Sequence, residues 1–281
     1  MSEQRLDHDC LNNYREHLLQ EERAPGTVEK YLRDLRSFAA WLDGRAVNKE
    51  LVVGWKESLL AEGRAPATVN AKLSALNGLL EFLGRGDCRV KFLKIQRRVF
   101  RDTARQLNRD EYQRLVDAAH DRGQERLELL LEAICSTGIR VSEVRYLTVE
   151  AARRGRADIS LKGKIRTILL PGKLCRKLLK YARRQKIASG EIFLTKGGNS
   201  LSRKQIWREM KGLCEAAGVK LSKVFPHNLR HLFAVTFYRA TRDIVKLADV
   251  LGHSSVDTTR IYLMTTGAEH ARQLERLGLV S

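Results

Sequence analysis

At 281 residues the chain is long enough for two ordinary domains, or one large one, each able to bury a core. Its composition excludes several classes: no run approaches the roughly 18–20 consecutive apolar residues of a membrane helix, the polar N-terminus MSEQRLDHDC is not a secretory leader, and 5 widely spaced cysteines give neither a disulfide framework nor a zinc cluster. The formal net charge of +19 points instead to a polyanionic partner, of which nucleic acid is the commonest, with a merely basic solvated surface as the alternative. Residues 1–105 hold 19 Lys and Arg against 15 Asp and Glu, leaving 33 against 18 in the remainder, so most of the excess is C-terminal. A reducing cytoplasm, in association with the nucleoid, is the expected location.

The first ninety or so residues read as helices. TVEKYLRDLRSFAAWL (27–42) sets Val28, Tyr31, Leu32, Leu35, Phe38 and Leu42 on one face at helical spacing. TVNAKLSALNGLLEFL (68–83) repeats the pattern with Val69, Leu73, Leu76, Leu79, Leu80 and Leu83. Each is preceded by nearly the same phrase, ERAPGTV (22–28) and GRAPATV (63–69), whose threonine is expected to cap the helix start. Two helical hairpins packed as a small bundle follow from this pattern. The phrase also places Arg23 or Arg64 beside open amides, which suits ordinary capping and a phosphate backbone equally.

Residues 84–106, GRGDCRVKFLKIQRRVFRDTARQ, are basic and lose the amphipathic spacing; with Arg97, Arg98 and Arg101 they read as an interdomain connector, lying along DNA or simply solvated. A second domain opens with LNRDEYQRLVDAA, where Asn108 caps and Asp110 and Glu111 favour the first turn. A long apolar helix over about 125–136 stops at Gly138. Three short strand candidates follow, ADISL, RTILL and EIFL, the first two joined by a Lys-Gly turn at 162–163. Helices return over 173–187, 203–217, 227–239 and 243–251. The expected fold is mainly α: a helical bundle over 1–95, a basic linker over 96–105, and a mixed α+β domain with a small antiparallel sheet over 106–281. No Gly-rich phosphate loop or Walker lysine supports ATP chemistry.

The second domain carries the residue types that phosphodiester exchange needs without a metal. Negative charge grows on the non-bridging oxygens in the transition state, and arginine holds them best, because its planar fork is bidentate and keeps its charge. Arg140 follows Gly138 at a helix break. Arg230 lies three residues beyond His227 on a helix starting at Pro226, so the two face the same way. His253 precedes Ser254 and Ser255, which look like the start of another helix. Tyr262 is the candidate nucleophile. With an ordinary pKa of about 10, roughly one phenol in a thousand is ionised at pH 7. It therefore needs a proton acceptor or a strongly cationic site, and His227 with the arginines offers both. A lysine of the 162–164 hairpin is placed to protonate a departing 5′ oxygen. Each residue alone reads as ordinary: a surface arginine, a helix-end histidine, a core tyrosine, a solvated turn lysine.

Taken in order, TGIRVSEV (137–144), PHNLRHLFA (226–234) and LGHSSVDTTRIY (251–262) resemble the signature boxes of the tyrosine recombinase, or phage integrase, family. Even the nine-residue step from His253 to Tyr262 agrees. The N-terminal helical repeat is similar to the family's SAM-like core-binding domain, so the resemblance covers almost the whole chain. It implies a site-specific recombinase of Xer-like type, with the two domains closing as a C-shaped clamp on DNA. Arg140, Lys164, His227, Arg230 and His253 would surround the scissile phosphate, Tyr262 would attack to leave a 3′-phosphotyrosine, and Glu143 would be a structural support. The family's hairpin lysine usually lies in a longer GKGxK turn; here the turn is shortened to LKGKIRTILLP, so Lys164 is the better match and Lys162 stays open. The implied partners are double-stranded DNA with inverted-repeat core sites, further copies of the chain as a tetramer on a four-way junction (monomer or weak dimer when free), and an accessory directionality protein. No cofactor or metal is implied. The tail after Tyr262, with Ala268, Ala271, Leu274, Leu277 and Leu279, would pack on a neighbouring protomer or fold back on its own domain. A type IB topoisomerase shares the chemistry, and a DNA-binding regulator without cleavage activity is the rival of another class.

Overall fold

The structure, a computed structural model, describes residues 6–95, 105–161, 164–253, 255–262, 271–272 and 275–278. It divides into two compact units, Met1–Arg97 and Arg98–Ser281. Among the described residues no helix is long and apolar enough to cross a membrane.

The first unit is a bundle of α1 (His8–Gln20), α2 (Pro25–Leu42), α3 (Lys49–Ala61) and α4 (Pro66–Phe82). Its core is the stripe read from the sequence: Val28, Leu32, Leu35, Phe38 and Leu42 of α2 pack with Val69, Leu73, Leu76, Leu79 and Leu80 of α4, and Trp55 of α3 sits 4.8 Å from Phe38. The helix starts differ from expectation. Thr27 and Thr68 are not caps; α2 and α4 begin two residues earlier, with Pro25 and Pro66 in the first turn after uncapped Ala24 and Ala65. Proline suits that place because its missing N–H has no intrahelical partner to lose. Two asparagines of α4 pin the chain that follows it. Asn77 both donates to the Val90 carbonyl and accepts from the Val90 amide, and Asn70 does the same with Leu93. Each side-chain amide thus satisfies a backbone segment that has no strand beside it.

The second unit is built around α6 (Glu125–Thr137), preceded by α5 (Arg109–Asp121). A capping box opens α5: the Glu111 amide donates to Asn108 Oδ1 at 2.8 Å and the Asn108 amide to Glu111 Oε2 at 3.0 Å. Leu130, Leu131, Ala133 and Ile134 of α6 are fully buried. Around them pack α5, α8 (Gly172–Arg184) and α10 (Pro226–Thr241). Between α6 and α8 lie a 3₁₀ turn (Val141–Tyr146), α7 (Val149–Arg154), β1 (Arg156–Leu161) and β2 (Lys164–Leu169). The strands pair antiparallel, in register from Arg156 opposite Leu169 to Leu161 opposite Lys164. The third strand candidate, EIFL, is not a strand. Ile192 and Phe193 are buried, yet the segment makes only isolated bridges, Thr148 with Glu191 and Leu194 with Ser200. Burial of two side chains satisfies the hydrophobic pattern without a ladder. The chain then forms α9 (Arg203–Gly212, shorter than the expected 203–217), α11 (Ile244–Leu251) and α12 (Val256–Arg260).

Candidate active site

Four short segments meet at the C-terminal end of α11. The first is the break after α6. Gly138 ends the helix in the left-handed conformation, φ +64°, and Ile139 turns inward. This leaves Arg140 at the head of the 3₁₀ turn with its guanidinium directed across the break. Its Nη1 donates to Glu143 Oε1 at 3.0 Å and its Nη2 to the Gly252 carbonyl at 3.3 Å, and 38% of the side chain stays exposed. Glu143 is buried. Burial alone would raise its pKa, but the Arg140 amide and the Arg166 and Arg140 side chains outweigh it, so the carboxylate stays ionised below its usual range.

The second segment is the start of α10. His227 and Arg230 stand three residues apart, as the sequence implied, but in different surroundings: His227 is at the solvent edge, and Arg230 is 3% exposed. Arg230 donates to the Gly138 carbonyl, to the Leu251 carbonyl at 2.8 Å and to His253 Nε2 at 3.0 Å. Burial first, then the Arg140 charge, lowers its pKa to about 10, with the hydrogen-bonded Tyr262 side chain acting the other way. It therefore remains a cation at neutral pH. Desolvation and then Arg230 lower the His227 pKa as well.

The third segment is the α11–α12 corner. Gly252 ends α11 in the left-handed conformation, and Ser255 caps α12. His253 is held from both sides: Nε2 faces Arg230, and Nδ1 lies 2.8 Å from Thr259 Oγ1. Arginine cannot accept a hydrogen bond, so Nε2 must be the acceptor and Nδ1 carries the proton. Burial, followed by the charges of Arg230, Arg140 and Arg166, pushes the His253 pKa down to about 4, which agrees with a neutral ring.

Tyr262 follows α12 and is 3% exposed. Its ring packs in a small apolar cluster with Ala234, Leu247 and Leu251. Three imidazoles surround it. His253 stacks at 5.9 Å between centroids and 11° between planes, His231 meets it edge-on at 5.3 Å, and His227 lies at 6.0 Å. The phenol thus sits in its own chain's cationic corner, beside Arg230.

The structure therefore brings together Arg140, His227, Arg230, His253 and Tyr262. Lys162 lies outside the described residues, as does the side chain of Lys164, whose backbone opens β2. Three neighbours were not singled out from the sequence: His231, Thr259 and Arg166, the last ion-paired to Glu143 and bonded to the Leu251 carbonyl. Arg166 shares its strand face with buried Ile168 and faces buried Ile159 across the hairpin.

A helical bundle is followed by a helical domain in which Arg140, Arg230, three histidines and the Tyr262 phenol meet at one corner, the arrangement that the sequence resemblance implied. Sequence comparison gives the family. Residues 105–269 match the phage integrase family, and residues 11–86 match the phage integrase N-terminal SAM-like domain. The tyrosine recombinase XerC of Roseiflexus castenholzii is 30% identical over 261 residues, 84% of this chain and 82% of that one. The tyrosine recombinase XerA of Pyrococcus furiosus is 32% identical over 182 residues, but this match spans only 62% of each chain. The chain belongs to the phage integrase family of tyrosine recombinases. Similar solved structures include XerH bound to its difH substrate in a pre-cleavage complex (TM-score 0.69, 19% identity, 97% of this chain and 90% of that one). A lambda integrase tetramer bound to a Holliday junction is another (TM-score 0.72, 18% identity, 91% and 76%). At such identities the likeness concerns the fold.

Proposed function

We propose that the chain is a site-specific DNA recombinase that cleaves and rejoins strands through a 3′-phosphotyrosine. The observation that carries this is the convergence of Arg230, His227 and His253 on Tyr262, with Arg140 bonded to the Gly252 carbonyl one residue before His253. The arginines are already fixed by backbone carbonyls and Glu143, so little reorganisation accompanies phosphate binding. Arg140, the more exposed of the two, is the arm open to the non-bridging oxygens.

In the first step the Tyr262 oxygen attacks phosphorus. The new O–P bond forms as the P–O5′ bond breaks, and the phenolic proton passes to a neutral acceptor, the role we assign to His227, whose ring lies 6.0 Å from that of Tyr262 between centroids. The departing 5′ oxygen takes a proton from the hairpin lysine, Lys164 or Lys162. Attack by the 5′ hydroxyl of a partner strand on the phosphotyrosine reverses the same steps. One ester bond is exchanged for another at each stage, so the exchange is close to thermoneutral. On this basis the substrate is duplex DNA with inverted-repeat core sites, the working assembly is a tetramer at a four-way junction, and the place of action is the nucleoid. The XerH–difH complex supports the DNA substrate, and the lambda integrase tetramer on a Holliday junction supports the assembly. An accessory protein setting direction belongs to the same proposal, as does assignment of residues 1–95 to core-site binding.

Covalent capture tests the reaction. The protein is incubated with sheared DNA from its source and denatured in SDS, and the attached DNA is sequenced, with Tyr262→Phe as control. Enrichment of a short inverted repeat by the wild type alone is the expected result. Broad attachment without a repeat would favour a topoisomerase, and salt-sensitive binding without attachment would favour a non-cleaving regulator.

A further inference from the structure

We propose that Arg166 is a positioning residue that ties the β1–β2 hairpin to the phosphate cradle, setting Arg140 through Glu143 and the His253 corner through the Leu251 carbonyl. The proposal rests on the strand-cleavage reading above.

The strand register is the starting point. Arg166 pairs with Ile159, and Ala157 pairs with Ile168; Ala157, Ile159 and Ile168 all face the core. The alternate residues of β2 point the other way, with Ile165 84% and Leu169 77% exposed. Arg166 is thus a guanidinium at an inward position, its side chain 13% exposed. An apolar residue there would pack on Ile159 without the desolvation cost of a charge. The Arg166 Nε is buried with no hydrogen-bond partner among the described residues, a further cost. Stability of the hairpin by itself gives no reason for the arginine.

Its contacts supply one. Glu143 Oε2 accepts from Arg166 and from the Arg140 amide at 2.9 Å, while Oε1 accepts from the Arg140 guanidinium. One carboxylate is therefore divided between two arginines. Without Arg166, Glu143 would be free to pair with Arg140 alone and draw its fork away from the open side. The Leu251 carbonyl is shared in the same way, by Arg166 and by Arg230. Next to it, Gly252 has φ +62°, and a Cβ there would lie 2.4 Å from Arg166 Cδ. The glycine before His253 is thus fitted to the Arg166 side chain. Arg166 reaches both arms of the cradle while staying sheltered from the phosphate.

The test uses the full chain and a nicked suicide duplex carrying the repeat recovered by covalent capture. In Arg166→Met the single-turnover rate of adduct formation is expected to fall about 100-fold, with the DNA Kd changed by less than about 3-fold. Gly252→Ala should reproduce the rate loss by pressing on the same side chain. Added guanidinium ion should restore part of the rate in Arg166→Ala, and a residue serving only the fold would show no such rescue. Cleavage by Arg166→Met at the wild-type rate, or equal losses of binding and cleavage, would overturn the proposal. Absence of adduct with the wild type itself would instead remove the strand-cleavage reading.

Discussion

Arg230 has only donors to offer, and through them it assigns the proton of His253. With Nε2 accepting from Arg230 and Nδ1 donating to Thr259, the folded ring has no room for a second proton unless the Arg230 contact breaks. The pH dependence follows. Burial and then the surrounding cations hold the folded pKa of His253 at about 4, while in the unfolded chain it returns to about 6.5. Between those values the unfolded state binds more protons. The stability is fully present above about pH 6.5 and is lost progressively as the pH falls towards 4. His227, also lowered, acts in the same direction. The melting temperature of the wild type should therefore fall across this window more steeply than that of His253→Gln. Parallel curves would contradict the lowered pKa of His253. From the sequence, Arg140, His227, Arg230, His253 and Tyr262 were legible together, because they fall in three segments that resemble the family's signature boxes, though each alone reads as ordinary. Arg166 was not, because its inward direction depends on which residue of β1 it faces.

Helix ends position the catalytic candidates, and Gly138 is the sharpest case. Two separate effects fall on it. Its left-handed φ of +64° disfavours any side chain, and a Cβ would meet Phe233 of α10 at 2.4 Å. Gly155, at the end of α7, shares the conformation, φ +72°, but has nothing within 4 Å. Gly155→Ala should cost about 1 kcal/mol, the backbone effect alone. Gly138→Ala should cost roughly 3 kcal/mol, since overpacking against Phe233 is added. Urea denaturation of the two variants measures the difference, and equal losses would mean that Phe233 moves aside freely. Element boundaries were harder to read than element identity. The ERAPGTV and GRAPATV phrases located α2 and α4, yet proline rather than threonine decided where the first turn begins. EIFL carried a strand pattern, yet it pairs only at single bridges, to Thr148 and Ser200, with Ile192 and Phe193 buried.

For the molecule as a whole, charge makes the firmest forecast. A chain at +19 that grips the phosphate backbone releases condensed counterions on binding. Neutralising on the order of 6–10 phosphates would lower DNA affinity about 10³–10⁵-fold between roughly 50 and 200 mM salt. Fluorescence anisotropy on a labelled duplex measures this, with Tyr262→Phe expected to show the same slope because the phenol adds no charge to the complex. A salt-independent Kd would contradict phosphate-backbone binding.

The helical bundle, the mainly helical second domain, the family and five of the residues that meet at the site are all readable from the chain's residues in order. Each of these signals lies within a short contiguous stretch of chain: a helical periodicity, or one of the three segments that resemble the family's signature boxes. It is packing in three dimensions that makes the Leu251 and Gly252 carbonyls hold three arginines, divides Glu143 between two of them, and buries Tyr262 against imidazoles of its own chain. Those contacts join residues far apart in the chain, and backbone carbonyls are common to every residue. No pattern of side chains could announce which of them the guanidinium groups would find.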